Sequence, residues 1–495
     1  MSGLKKLISL VSAAAITISV CAVSASATEA YDPYNYDRWG DPIASQAGYT
    51  ADYFVSGDDI GVGSFNEPAD LFVSHDNLMY IVDKGNNRIV VTDLDFNLVR
   101  VMDTFTYEGE TTTLKKPTGV FVDQYRDDIY IADNENERVI KCDKDGNISM
   151  IFGRPETELY SSDLTYNPNK VIVDKAGNVY VVVKSVTRGA VMFDANGKFL
   201  GYYGANRVEQ TAEVLANAFW NLISTEEQRL RSTKSTPIGF SNFDIDDMGF
   251  IYTVTESTET TTDLVKKLNP EGNNILDSLG VDNEFQFGDK SPTYYSIYAK
   301  NSSLVDIDIG PNGELNILDF QHGRIFQYDK ECWLLFIMGG TGEQLGTFRS
   351  AAAIESYDNK LYVLDSRKNA LTVFTRTAFG EIVTEAANLY NDGKYEESLE
   401  PWQNVLKYDG NYRRAYIGIG NALFNRGDYE EAMEYFKISI SRGRYNRAYE
   451  GYRDIWLKAH FTAIIVVLIV VIVLLIVLGK LKKKGKLNFL RKGGA

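Results

Sequence analysis

The sequence predicts an all-β propeller of six blades, then an all-α helical repeat array, then one transmembrane helix. Three observations predict it. A strand-rich unit recurs six times between about residues 45 and 380. The apolar period changes from two to 3.6 near Glu381. An 18-residue run without a charge, Phe461 to Leu478, follows.

The repeats justify the propeller. Pro68-Ala-Asp-Leu-Phe-Val-Ser precedes Met79-Tyr-Ile-Val-Asp83 and Asn87-Arg88. Pro117-Thr-Gly-Val-Phe-Val-Asp precedes Ile129-Tyr-Ile-Ala-Asp133 and Glu137-Arg138, and Pro168-Asn-Lys-Val-Ile-Val-Asp precedes Val179-Tyr-Val-Val-Val183. Shorter copies contain Phe243-Asp-Ile-Asp with Phe250–Thr255, Ile307-Asp-Ile-Gly with Leu315–Asp319, and Leu361–Asp365. Each copy alternates apolar and polar residues, turns at Asp, Gly or Asn, and alternates again, as short antiparallel strands do. Fourth strands are expected at Val99–Met102, Ile148–Gly153, Phe199–Gly204, Ile275–Gly280 and Leu334–Gly340. The sixth unit has none, because helical sequence follows it. Residues 53–57, ahead of the first unit, supply the missing strand and close the ring, which removes sheet edges. The propeller domain is thus expected over 28–380, with a helical insertion at 205–236 whose Val208, Ala212, Leu215, Phe219 and Leu222 share one face.

The pattern Tyr80-Ile-Val-Asp83-Lys-Gly-Asn-Asn-Arg88 resembles the NHL repeat. The resemblance implies the propeller fold and says little of activity, since propellers host many functions. The pairs Asp83 with Arg88, Asp133 with Arg138 and Asp319 with Arg324 are expected as turn and inter-strand partners. Blades three and four carry Val183 and Thr255 at the Asp position.

Residues 381–458 align with themselves at an offset of 34: Leu389 with Leu423, Gly393 with Gly427, Tyr395 with Tyr429 and Trp402 with Phe436. This spacing resembles the tetratricopeptide repeat, in which small and aromatic residues meet where two antiparallel helices pack. Ser398 and Pro401 make the first copy less regular, and Tyr445–Lys458 reads as a third helix. The resemblance implies either a partner-binding array or a spacer.

The two ends fix the expected topology. Residues 1–27 read as a signal peptide: Lys5 and Lys6, an apolar run, then Ala25-Ser26-Ala27. Residues 459–479 read as a membrane-spanning helix, because 18 residues at about 1.5 Å each cross about 27 Å. The tail 480–495 carries seven basic residues and no acidic one, which places it in the cytoplasm and the bulk outside. Cys142 and Cys332 occupy non-equivalent repeat positions, so no disulfide is expected between them.

Composition excludes several functions. The chain of 495 residues has 51 basic and 67 acidic side chains, a net charge of -16, which argues against a nucleic-acid surface. Three His and three Cys cannot make zinc or iron–sulfur chemistry a main theme. There is no nucleophile elbow, P-loop or HExxH motif. The residues opening the innermost strands are Asp70, Gly119, Lys170, Asn242, Asp306 and Ala352. Of these, Asp70, Lys170, Asn242 and Asp306 are the candidate ligand-binding residues at the channel mouth. Asp70, Asn242 and Asp306 offer oxygens to a hard cation such as Ca²⁺, although a solvated channel is polar in any case. No catalytic residue is assigned, and no cofactor is expected beyond that Ca²⁺.

The expected function is a membrane-anchored extracellular binding or scaffold protein. Its propeller would recognise a glycan, peptide or protein, and its helical repeats would contact a membrane partner. The domain order resembles NHL–tetratricopeptide surface proteins of Gram-positive bacteria, which implies surroundings of sugar transport. The alternative is a metal-dependent hydrolase, since gluconolactonase-like propellers hold a metal with carboxylates and Asn in such a channel. Amidating-lyase propellers are also similar but rely on His, and only His75 and His322 lie in this propeller.

Overall fold

The computed structural model describes residues 30–161, 163–204, 239–255, 264–276, 287–289 and 301–483. The chain divides into two compact units, one of Met1–Tyr36 and Pro42–Thr384, the other of Asp37–Asp41 and Glu385–Ala495. The expected signal peptide, the insertion at 205–236 and most of the basic tail lie outside the described residues.

The first unit is a six-bladed propeller. The innermost strands are Asp70–Val73, Pro117–Val122, Pro168–Val173, Asn242–Ile245, Leu304–Ile309 and Ala351–Tyr357. Each opens an antiparallel meander whose next strand is covered on both faces by neighbouring blades. That is why Met79–Asp83, Ile129–Asp133, Val179–Val183 and Leu315–Asp319 are buried throughout. Polar alternation is kept only where a face meets the channel or solvent.

Ring closure occurs as the strand count requires. Tyr49–Ser56 pairs antiparallel with Ala370–Arg376 and becomes the outer strand of blade six, longer than the 53–57 segment read from sequence. Gly57 belongs instead to a single helical turn, Gly57–Ile60, capped reciprocally by Ser56 and Asp59. Blade four shows three strands among the described residues, ending at Val265–Leu268. Most of its expected fourth strand, Ile275–Gly280, lies outside them.

Blade five differs from expectation. A hairpin of Tyr34–Tyr36 and Pro42–Ala44 adds to its outer strand Leu334–Gly339, giving six strands. The Tyr34 hydroxyl donates to Asp289 at 2.6 Å, and Tyr36 and Arg324 also contact Asp289.

The repeated Asp has a local purpose. Asp83 accepts from the Asn66 N–H, Asn86 and Arg88, each at 2.8 Å. Asp133 accepts from the Lys115 N–H at 2.7 Å and from Asn136 and Arg138 at 2.8 Å. One carboxylate therefore ties the segment entering a blade to the turn between its second and third strands. In blade five this device is rearranged. Asp319 holds the Ser303 N–H and His322, while Arg324 pairs with Asp289, not with Asp319 as the repeat suggests.

The helices after the propeller are α1 (Ala378–Asn391), α2 (Tyr395–Tyr408), α3 (Arg413–Arg426), α4 (Tyr429–Ile438) and α5 (Arg442–Lys483). α2 to α4 pack pairwise through buried Trp402 and Phe436. A Cβ on Gly418 would lie 2.4 Å from Trp402, and one on Gly420 2.6 Å from Phe436, so the close helix approach depends on both glycines. Arg414 lies against the rings of Tyr390 and Trp402. The separate third helix and the membrane helix read from sequence are one continuous α5 of 42 residues. It is long and apolar enough to cross a membrane, with the apolar side chains of its C-terminal half exposed all round.

Candidate functional site

Strand register defines two rings of side chains around the channel. Residues equivalent to Asp70 are Gly119, Lys170, Asn242, Asp306 and Ala353, which face Val82, Ala132, Val182, Val254, Leu318 and Leu364 in turn. Blade six corrects the sequence reading. Ala353, not Ala352, holds this position, facing Leu364 after the same register shift that precedes Gly119, Lys170 and Asp306. Two residues further along each strand, the second ring comprises Phe72, Phe121, Ile172, Asp244, Asp308 and Glu355.

The first ring brings together all four residues singled out from sequence. Lys170 pairs with Asp70 across the channel and lies 3.8 Å from Asp306, to which the Asn242 amide donates. Lys170 of blade three reaches blade one by passing Gly119 of blade two. A Cβ on Gly119 would sit 2.7 Å from the Asn169 carbonyl and 3.1 Å from the Lys170 Cα. The group is closely packed: Asp70 is 0 %, Asn242 2 % and Asp306 3 % exposed. Burial opposes the Lys170 charge, but Asp306 and Asp70 outweigh it and raise the lysine pKa. Burial pushes Asp306 up against the pull of Lys170. The oxygens of Asp70 and Asp306 thus already face a cation, the ammonium of Lys170. Among the described residues no three His, Cys, Asp or Glu side chains converge as a metal's ligands would.

The channel carboxylates also join blades. Asp70 accepts the Val120 N–H at 2.9 Å, Asp244 the Ile309 N–H at 2.9 Å, Asp306 the Ile354 N–H at 2.6 Å, and Glu355 the Val73 N–H at 3.4 Å. In each case the donor follows the equivalent channel position of the next blade. These bonds staple blades one to two, four to five, five to six, and six to one.

Beyond the second ring lies a cavity of about 740 Å³, where the innermost strands turn into their following loops. The first-ring candidates do not line it. Its floor divides by blade: Phe72 and Phe121 on one side, with ring centroids 5.2 Å apart, and Asp244, Asp308 and Glu355 on the other. His75, Tyr125, Lys175, Asn312 and Tyr357 are among the rim residues. Burial pushes the Asp244 carboxyl up to about 6 and, with repulsion from Asp244, the Asp308 carboxyl up to about 8. Burial, then Asp308, Asp244 and Asp306, raise Glu355 well above the usual range.

Sequence reasoning missed this second ring, although a signal was available. Asp244 and Asp308 stand two residues after Asn242 and Asp306, so strand alternation sends them to the same channel. Glu355 stands two residues after Ala353, so a blade-six position placed at Ala352 misses it.

No protein-family model matches the chain. The chain is similar to Protein brain tumor of Drosophila melanogaster, 30% identical over 125 residues, which is 25% of this chain and 11% of that protein. The match therefore spans about a ninth of that relative's length. Among solved structures it is similar to virginiamycin B lyase from Staphylococcus aureus, 10% identical over 70% of this chain and 95% of that one, with a TM-score of 0.36. It is also similar to a Bacteroides thetaiotaomicron protein of unknown function, 11% identical over 68% of this chain and 79% of that one, with a TM-score of 0.40.

Proposed function

We propose that this is a membrane-anchored extracellular binding protein whose propeller holds a ligand in the channel cavity without turning it over. The observation that carries this reading is the cavity itself: a concave space of about 740 Å³ with a divided apolar and acidic floor. Ligands of the glycan, peptide or protein class fit its size and its mixture of ring faces and hydrogen-bonding groups. Asp70, Lys170, Asn242 and Asp306 act in this reading from beneath, by fixing the four blades that carry them. The absence of turnover is argued from the two propeller histidines. His322 is engaged by Asp319, and His75 sits at the rim, 3.5 Å from Asp127, with no nucleophile assigned to it.

α5 anchors the protein in this reading, with the basic tail inside and the propeller outside. The helix pairs, which resemble tetratricopeptide repeats, dock a membrane-protein partner such as a component of sugar transport. The test is to probe arrays of glycans, cell-wall fragments and peptides with the detergent-solubilised full chain. Binding should be lost in the variant Phe72→Ala/Phe121→Ala. Unchanged binding in a folded variant would place the binding surface elsewhere.

A further inference from the structure

We infer that the ligand group entering this cavity is an organic cation, an alkylammonium or guanidinium on an apolar stem. The inference rests on the cavity being the binding site. It starts from an imbalance. Among the described residues the two rings hold five carboxyl groups, Asp70, Asp244, Asp306, Asp308 and Glu355, against one ammonium, Lys170; burial keeps protons on part of the second ring, and a bound cation would displace them. Lys170 serves the first ring, where it contacts Asp70 and approaches Asp306. Among the described residues the second ring itself holds no cationic side chain, and Lys170 acts on Asp244 and Glu355 only from the ring below.

Cationic side chains on the cavity lining are engaged elsewhere. Arg376 donates to the Tyr49 hydroxyl at 2.8 Å and lies 3.9 Å from Glu314. Lys175 lies over the Tyr125 ring at 5.1 Å. His75 faces Asp127. Among the described residues Glu355 accepts one hydrogen bond, through Oε2 from Val73 at 3.4 Å, which leaves Oε1 for a ligand. That oxygen is one that a bound N–H or N⁺–H donor would satisfy.

The opposite wall selects what carries the charge. Phe72 and Phe121 present ring faces and edges to an apolar stem and stabilise a nearby cation through their π systems. A bare metal ion gains nothing from that wall, and no metal-ligand cluster converges among the described residues. An anion would meet three carboxyl groups. A cation entering this floor repeats, one ring higher, the arrangement that Lys170 makes with Asp70 and Asp306.

The test is calorimetric titration of the full chain in detergent micelles with 2-phenylethylamine and, as the uncharged comparison, 2-phenylethanol. Binding of the amine at least tenfold tighter than the alcohol is expected. Glu355→Gln, which retains an acceptor for Val73, should weaken the amine at least tenfold without lowering the melting temperature. Asp244→Asn provides the same comparison if the first variant fails to fold. Spermidine and an N-acetylated, C-amidated lysine peptide distinguish a free amine from a protein side chain, and tight, Glu355-dependent binding of either supports the inference. Equal affinity for amine and alcohol, no binding of any amine, or full amine affinity in a folded Glu355→Gln variant overturns it. If amines fail but an array ligand still requires Phe72 and Phe121, the inference falls and the proposed binding function stands.

Discussion

Replacing Asp308 with Asn should make the propeller more stable at neutral pH, although it removes a buried and hydrogen-bonded side chain. Asp308 is 4 % exposed, and its carboxyl is pushed from 3.8 up to about 8, first by burial and then by Asp244. Folding therefore makes this group bind a proton that the unfolded chain releases above about pH 4. Between about pH 4 and pH 8 the folded state holds more protons, so this group makes stability fall as pH rises. At about 1.36 kcal/mol per pKa unit, the contribution at pH 7 is a destabilisation of about 4 kcal/mol. An amide in its place can still accept from Asn316, which now donates to Asp308 at 2.7 Å. Allowing about 1 kcal/mol for the new buried donor leaves a net gain of about 3 kcal/mol. For a propeller of about 330 residues, that corresponds to a rise in Tm of about 4 °C. Thermal melts of the full chain and the Asp308→Asn variant at pH 4.5, 6, 7 and 8 provide the assay. The two melting temperatures should be close at pH 4.5 and diverge as pH rises, with the variant higher. A variant that is no more stable at pH 7 and 8, or a gap that closes with rising pH, would refute the reasoning. Asp244, Asp306, Glu355 and Lys170 face the same space, and the raised carboxyls among them leave the variant a residual fall in the same direction.

Three further outcomes are expected. Asp133→Ala leaves the Lys115 N–H and Arg138 without their shared acceptor and should cost about 3–5 kcal/mol, read by chemical denaturation; a cost below about 1 kcal/mol would show that the repeated Asp is dispensable. Deleting residues 28–57 removes the outer strand of blade six and exposes Ala370–Arg376 as an edge, so light scattering should report aggregation, whereas a monodisperse product would contradict the closure account. Cys142 and Cys332 are buried, with thiols pushed up to about 12 by burial, so a maleimide should label neither in the folded chain and both in denaturant; rapid labelling of native protein would contradict this packing.

Most of the fold was legible because blades repeat and each repeat carries its own turn chemistry. The Asp of Tyr80-Ile-Val-Asp83 stands where one carboxylate must join two loops, so the pattern reports geometry directly. Ring closure followed from counting outer strands. The hairpin added to blade five was not legible, because Tyr34–Tyr36 and Pro42–Ala44 are too short to show a period and Tyr34–Tyr36 pairs with a strand some 300 residues away. Helix α5 hid its continuity through the change from a mixed to a wholly apolar sequence near Phe461, a change of surroundings and not of backbone. At the site, alternation marked which residues face the channel, and the four candidates do meet there. What sequence could not supply was depth. In blade six the run Ala351-Ala352-Ala353 carries no side chain that marks the channel position, and placing it at Ala352 instead of Ala353 conceals Glu355.

The central claim is that the channel cavity binds a ligand and leaves it unchanged. It is tested most directly by equilibrium binding of the strongest array ligand to the full chain, paired with mass analysis of the ligand recovered after overnight incubation. Saturable binding that disappears in the folded Phe72→Ala/Phe121→Ala variant, with the ligand recovered at its original mass, is the result predicted. Binding that survives in that variant, or a ligand recovered as a product of different mass, would contradict it.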